Sequence, residues 1–106
     1  MIQITWKASD KNTLSNEIVV KEFTNLYFMR DYLVDPGDIG ENNGIPVYVS
    51  KRLMKFFHDY LINSPEEFYE DDGKISEDYI IMEKFSRYML SHFDWKNKNL
   101  YIICKW

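Results

Sequence analysis

The sequence predicts an α+β fold, with a small antiparallel sheet packed against three to four helices, and three observations predict it. Apolar and polar residues alternate with a period of two at both ends of the chain. The middle switches to helical spacing, with helix-start chemistry at Ser50, Ser64 and Ser76. At 106 residues, 45% apolar and 17% aromatic, the chain has the size and core material of a single domain spanning residues 1–106.

Ile2, Ile4 and Trp6 alternate with Gln3, Thr5 and Lys7, the pattern of a half-buried strand. Residues 9–16 are turn-forming, and residues 17–23 are β-branched enough to return, which predicts an N-terminal hairpin. Thr24 is positioned to cap a helix through residue 34, with Leu26, Met29 and Leu33 on one stripe. Asp35-Pro36-Gly37 stops it, because proline lacks a donor and restricts the residue before it. Residues 47–49 suit a short extra strand. From Ser50 a helix is expected to about residue 62, burying Leu53, Phe57, Tyr60 and Leu61 and exposing Lys51, Arg52, Lys55 and Asp59.

Ser64-Pro65-Glu66-Glu67 combines a capping serine, proline at the first helical position and a capping-box glutamate, so a short helix is expected to about residue 70. Ser76 caps the longest predicted helix, residues 77–93, on which two apolar stripes share Phe85. One is Ile81, Phe85, Tyr88 and His92; the other is Met82, Phe85, Met89 and Phe93. Leu100, Ile102, Cys104 and Trp106 then alternate with Tyr101, Ile103 and Lys105, giving a C-terminal strand expected beside the first hairpin.

Several function classes find no support in these residues. The opening residues 1–6 lack the basic and apolar regions of a signal peptide, and the longest apolar runs are far too short for a membrane span. With one cysteine no internal disulfide can form, and a reducing, cytoplasmic setting is expected. Usage rich in Ile, Lys, Asn, Tyr and Phe suggests an AT-rich bacterial or phage source.

Catalytic, cofactor and metal motifs are equally hard to find. There is no phosphate-binding glycine loop, dinucleotide fingerprint, zinc-protease motif or nucleophile elbow. Gly37-Asp38-Ile39-Gly40 has the outline of an RNA-clamping GxxG loop, but an aspartate within it opposes phosphate, and a plain turn is expected. An enzyme would have to assemble its site from His58, Asp59, His92 and Cys104. Their ordinary readings are a solvated pair (His58 and Asp59), a half-buried histidine (His92) and a small buried hydrophobe (Cys104). Residues 70–76 resemble the middle of an EF-hand loop, with Gly73 at its sixth position. In that register Phe68 and Tyr79 occupy the first and twelfth, where calcium needs carboxylates. No catalytic residue, cofactor or metal is therefore expected.

Charge is the one uneven property. Seven acids and one base (Lys74) fall within residues 64–78, whereas residues 79–106 carry five bases and two acids. Acids in the first turns of two successive helices would account for Glu66, Glu67, Glu77 and Asp78 through the macrodipole. Glu70, Asp71 and Asp72 have no such reason. With Phe68 and Tyr69 among them, they suit a surface for a basic protein partner: aromatic burial supplies affinity and charge supplies steering. Net charge −4 disfavours direct nucleic-acid binding and favours masking a protein that itself handles nucleic acid, such as a nuclease.

In size, acidity and aromatic content the chain is similar to phage anti-CRISPR inhibitors and to toxin-immunity proteins. The likeness is one of composition, so no functional residue is carried over from either group. The function expected is a non-enzymatic inhibitor or mask, with Glu66, Glu67, Phe68, Tyr69, Glu70, Asp71, Asp72, Glu77 and Asp78 as the contact. An immunity protein, a small enzyme and a self-associating phage component are the alternatives.

Overall fold

The computed structural model describes residues 1–12, 16–35 and 40–106. In chain order they form β1 (Gln3–Asp10), β2 (Ile18–Thr24), α1 (Tyr27–Leu33), β3 (Val47–Tyr48), α2 (Lys51–Asn63), a 3-10 turn (Pro65–Phe68), α3 (Glu77–His92) and β4 (Lys98–Lys105). This is an α+β fold with one four-stranded antiparallel sheet, in the order β2-β1-β4-β3. The chain divides into two compact units, Met1–Ser50 with Asp94–Trp106, and Lys51–Phe93. Among the described residues no helix is long and apolar enough to cross a membrane.

The first unit is organised by β1 and β4. Their register runs without a break from Gln3 opposite Lys105 to Asp10 opposite Lys98. The period-two alternation therefore meets across the ladder, with Ile4 opposite Cys104, Trp6 opposite Ile102 and Ala8 opposite Leu100, all buried. Each large apolar side chain removed from water there contributes roughly 1.5–3 kcal/mol. The N-terminal hairpin and the C-terminal strand beside it stand as the alternation predicts.

β2 lies at an edge and is mostly exposed along its length. Its pairing with β1 slips between Trp6 and Lys7, so that Val20 has no partner in the register. Such a bulge, beside the charged Lys21 and Glu22, twists an edge out of the flat form that invites further strands. The other edge is covered beyond the two residues of β3. Gly44 N donates to Cys104 O at 2.7 Å, and the Asn43 side chain exchanges two hydrogen bonds with the Trp106 backbone, at 2.9 and 3.2 Å.

The helix expected from Thr24 begins later. Thr24 is paired with Gln3 in the ladder, and Asn25 turns the chain at φ +60°, its Oδ1 accepting from Ile2 N. α1 then starts after Leu26, with no side-chain cap. Leu26, Met29 and Leu33 are buried as the stripe predicts. Arg30, also buried, stacks 5.0 Å from the Trp106 ring and donates through Nε and Nη2 to Asp31 Oδ1. Of the stretch Gly37-Asp38-Ile39-Gly40, only Gly40 lies within the described residues.

In the second unit α2 begins directly after Ser50 and buries Met54, Phe57 and Leu61; Leu53 and Tyr60 flank that stripe half-buried. α3 is capped as expected, the Ser76 hydroxyl accepting from Tyr79 N at 3.2 Å. Of its two candidate stripes, Met82, Phe85 and Met89 are buried with Phe93 half-buried, whereas Ile81, Tyr88 and His92 are exposed. Ser86 is tolerated among the buried residues. It lies on the buried side, where its hydroxyl donates to Met82 O at 2.8 Å, so burial leaves no orphaned polar group.

Removing residues 100–106 is expected to abolish cooperative unfolding, since β4 lies between β1 and β3. Ile102→Ala, which keeps the register, should cost about 2–5 kcal/mol in urea denaturation. A truncated chain melting like the intact one would refute the central place of β4.

Candidate functional site

The acidic segment folds into something other than the helix its start signals predict. Ser64 makes no side-chain cap, and Pro65–Phe68 forms a single 3-10 turn, after which Tyr69 is extended. Tyr69 then pairs with Ile75 in an antiparallel bridge. Glu70 N donates to Lys74 O at 2.8 Å, Gly73 N to Glu70 O at 2.9 Å, and Ser76 N to Phe68 O at 2.8 Å. Gly73 sits at φ +80°, the left-handed position that closes a three-residue hairpin loop. Asp72 Oδ1 accepts from Lys74 N at 2.9 Å. Residues 69–75 are thus a miniature hairpin delivered into the first turn of α3.

This local geometry sorts the two aromatic residues. Phe68 is half-buried and tilts against Tyr79, ring centroids 5.2 Å apart. Tyr69, one position on, is 56% exposed. Burial holds the Tyr79 phenol above its ordinary value, with Glu83 and Tyr69 adding to the effect. The ring pair also fills the two places where an EF-hand would need carboxylates.

Glu66, Glu67, Glu70, Asp71, Asp72, Glu77 and Asp78 are all exposed. Among the described residues none of them is paired with a basic side chain. Glu77 and Asp78 stand in the first turn of α3, where each gains roughly 0.3–1 kcal/mol from the macrodipole. Glu66 and Glu67 lose the equivalent reason, because a four-residue 3-10 turn aligns too few peptide dipoles to attract them. Five carboxylates are therefore gathered on this surface without a helix end or an ion pair to explain them.

The residues of the alternative enzymatic reading are each engaged elsewhere. His58 is half-buried rather than solvated beside Asp59. Its Nε2 lies 2.9 Å from Glu83 Oε2 on α3, an oxygen that is also ion-paired with Arg87 Nε at 3.1 Å. Asp59 pairs with Lys55 at 3.1 Å. His92 is exposed rather than half-buried, stacked on Tyr88 at 4.5 Å. Glu83, the hub of the helix–helix contact, carries no local signal in the sequence, being 25 positions from its histidine. Cys104 is fully buried in β4, and burial pushes its thiol up to about 12 against the lowering pull of Arg30.

The sheet surface offers shallow hollows. One of about 210 Å³ is lined by Lys7, Ser9, Glu17, Pro46, Tyr101 and Ile103, and its two charged groups bond each other at 2.9 Å. Among the described residues no group of three or more His, Cys, Asp or Glu is placed to hold a metal ion.

Comparison with models of known families, with curated proteins and with solved structures gave no match.

Calcium titration by calorimetry should give an affinity no better than about millimolar, the weak end of the EF-hand range. Micromolar binding would overturn the ring-pair argument. Cys104 should resist a thiol reagent at pH 8 in the native protein and react on unfolding. Its folded pKa lies above the unfolded one, so its contribution to stability is complete below about pH 9 and is lost as pH rises toward about 12. Denaturation midpoints across that range check the sign: Cys104→Ala should make the slope shallower, the raised Tyr79 phenol keeping a share of it.

Proposed function

We propose that the chain is a non-enzymatic binding protein that docks residues 66–78 on a basic surface of a protein partner and thereby masks it. The observation that supports this most is the set Glu66, Glu67, Glu70, Asp71 and Asp72: exposed, free of ion pairs among the described residues, and without a helix end to favour them. Like charges held so close repel one another, and a basic partner turns that cost into attraction. The closed backbone of the hairpin supports the same reading. A loop already ordered by its own hydrogen bonds loses less entropy on docking. Tyr69 is the exposed aromatic anchor, and Phe68 holds the loop to Tyr79.

A partner surface with the required density of Lys and Arg is found where proteins grip phosphates. The partner is therefore a protein that handles nucleic acid, a nuclease among them, and the outcome of docking is inhibition by occupation of its phosphate-binding surface. Glu77 and Asp78 add charge to that contact while also serving the start of α3.

Glu70→Gln, Asp71→Asn and Asp72→Asn together should leave the melting curve intact and slow association with the partner. The effect should be largest at low salt, because exposed charges act over a Debye length of about 10 Å at 0.1 M. Tyr69→Ala should instead speed dissociation, and Phe68→Ala should loosen the fold as well as the contact. Surface plasmon resonance at two salt concentrations, with circular dichroism melts as control, reads all three. An unchanged association rate for the triple variant would remove the segment from the contact.

A further inference from the structure

A second surface on α3 is complementary to itself. Glu77, Ile80, Ile81 and Lys84 are spaced i, i+3, i+4 and i+7, which puts them on one face of the helix. All four are exposed, with Ile80 at 40% and Ile81 at 37%, while Met82, Phe85 and Met89 take the buried face about a third of a turn away. Neither Glu77 nor Lys84 is in an ion pair among the described residues. Two adjacent isoleucines thus stand exposed between one unpaired acid and one unpaired base.

We propose that this face joins two copies of the chain through an antiparallel α3–α3 contact about a two-fold axis between Ile80 and Ile81. In that arrangement Glu77 of each copy meets Lys84 of the other, and Ile80 meets Ile81. Acid, isoleucine pair and base read in reverse as base, isoleucine pair and acid, so the antiparallel sense matches opposite charges at both ends. A parallel contact would set Glu77 against Glu77 and Lys84 against Lys84. The interface is isologous, as closed two-fold dimers require. It shares Glu77 with the partner surface proposed above but needs none of Glu70, Asp71 or Asp72, so the two contacts are separable by changes at those three.

Sedimentation velocity from about 1 to 500 μM should show a concentration-dependent dimer that weakens with salt, the range of a modest interface. Lys84→Glu places like charges at both ends of the contact and should weaken the dimer at least about tenfold, as should Glu77→Lys. The double exchange Glu77→Lys with Lys84→Glu should restore it, with circular dichroism melts confirming that all three variants fold. The triple change at Glu70, Asp71 and Asp72 should leave the dimer in place, which separates this contact from the partner surface. A wild-type chain that stays monomeric throughout, a dimer indifferent to Lys84→Glu, or a double exchange that fails to recover it overturns the proposal.

Discussion

The ladder between β1 and β4 is the constraint on which the sheet depends. It joins the two ends of the sequence, with Gln3 set against Lys105, and it places Trp6 and Ile102 side by side at the middle of the buried face. Every other strand attaches to one of these two: β2 to β1, β3 to β4. Contacts this remote require a large loop to close before they return any stability, although the closing entropy grows only logarithmically with length. The ladder offsets it with an unbroken register and a row of fully buried side chains. The Arg30–Trp106 stack and the Asn43 side-chain bonds then hold the far end of β4, where fraying would otherwise begin.

The second unit is built on different terms. α2 and α3 meet through their apolar stripes and a polar junction, the Glu83 carboxylate between His58 and Arg87. Around α3 the charge is distributed by position: acids in the hairpin and the first turn of the helix, Lys84 and Arg87 further along it. That gradient favours the macrodipole and also makes the outer face of α3 directional. The hairpin and the Ile80–Ile81 face differ in chemistry, since one presents almost pure charge with a single exposed ring and the other presents hydrocarbon flanked by one charge of each sign.

Where side-chain periodicity and burial coincide, the sequence was readable. β1 and β4 alternate because one face of each is buried, and Ser76 announced α3 through a bond made within its own turn. Local pattern is a poor guide where a distant partner decides the outcome. Thr24 has the chemistry of a cap, yet its pairing with Gln3 holds it in a strand. On α3 two stripes share Phe85 and differ by a fraction of a turn, and the spacing alone could not choose between them. The sequence sets His58 beside Asp59, whereas its partner lies on another helix. In the acidic segment the composition is visible, but the different exposure of Phe68 and Tyr69 accompanies a bridge to Ile75 that no capping rule anticipates.

The order in which these elements are made gives the β1–β4 ladder a consequence in the cell. During translation β1 emerges before every other element of the fold, and its principal partner is the last to be made. At typical elongation rates the interval is on the order of ten seconds. Throughout it the nascent chain carries a strand with Ile2, Ile4 and Trp6 uncovered, available to chaperones or to neighbouring polysomes. The early partner is β2, whose bulge at Val20 and charged Lys21 and Glu22 make it a poor template for other strands. Half of β1 is thereby shielded by a guard that does not itself propagate aggregation. Synonymous codons that slow synthesis of the helical stretch would lengthen that exposure, and the yield of folded protein would register the delay.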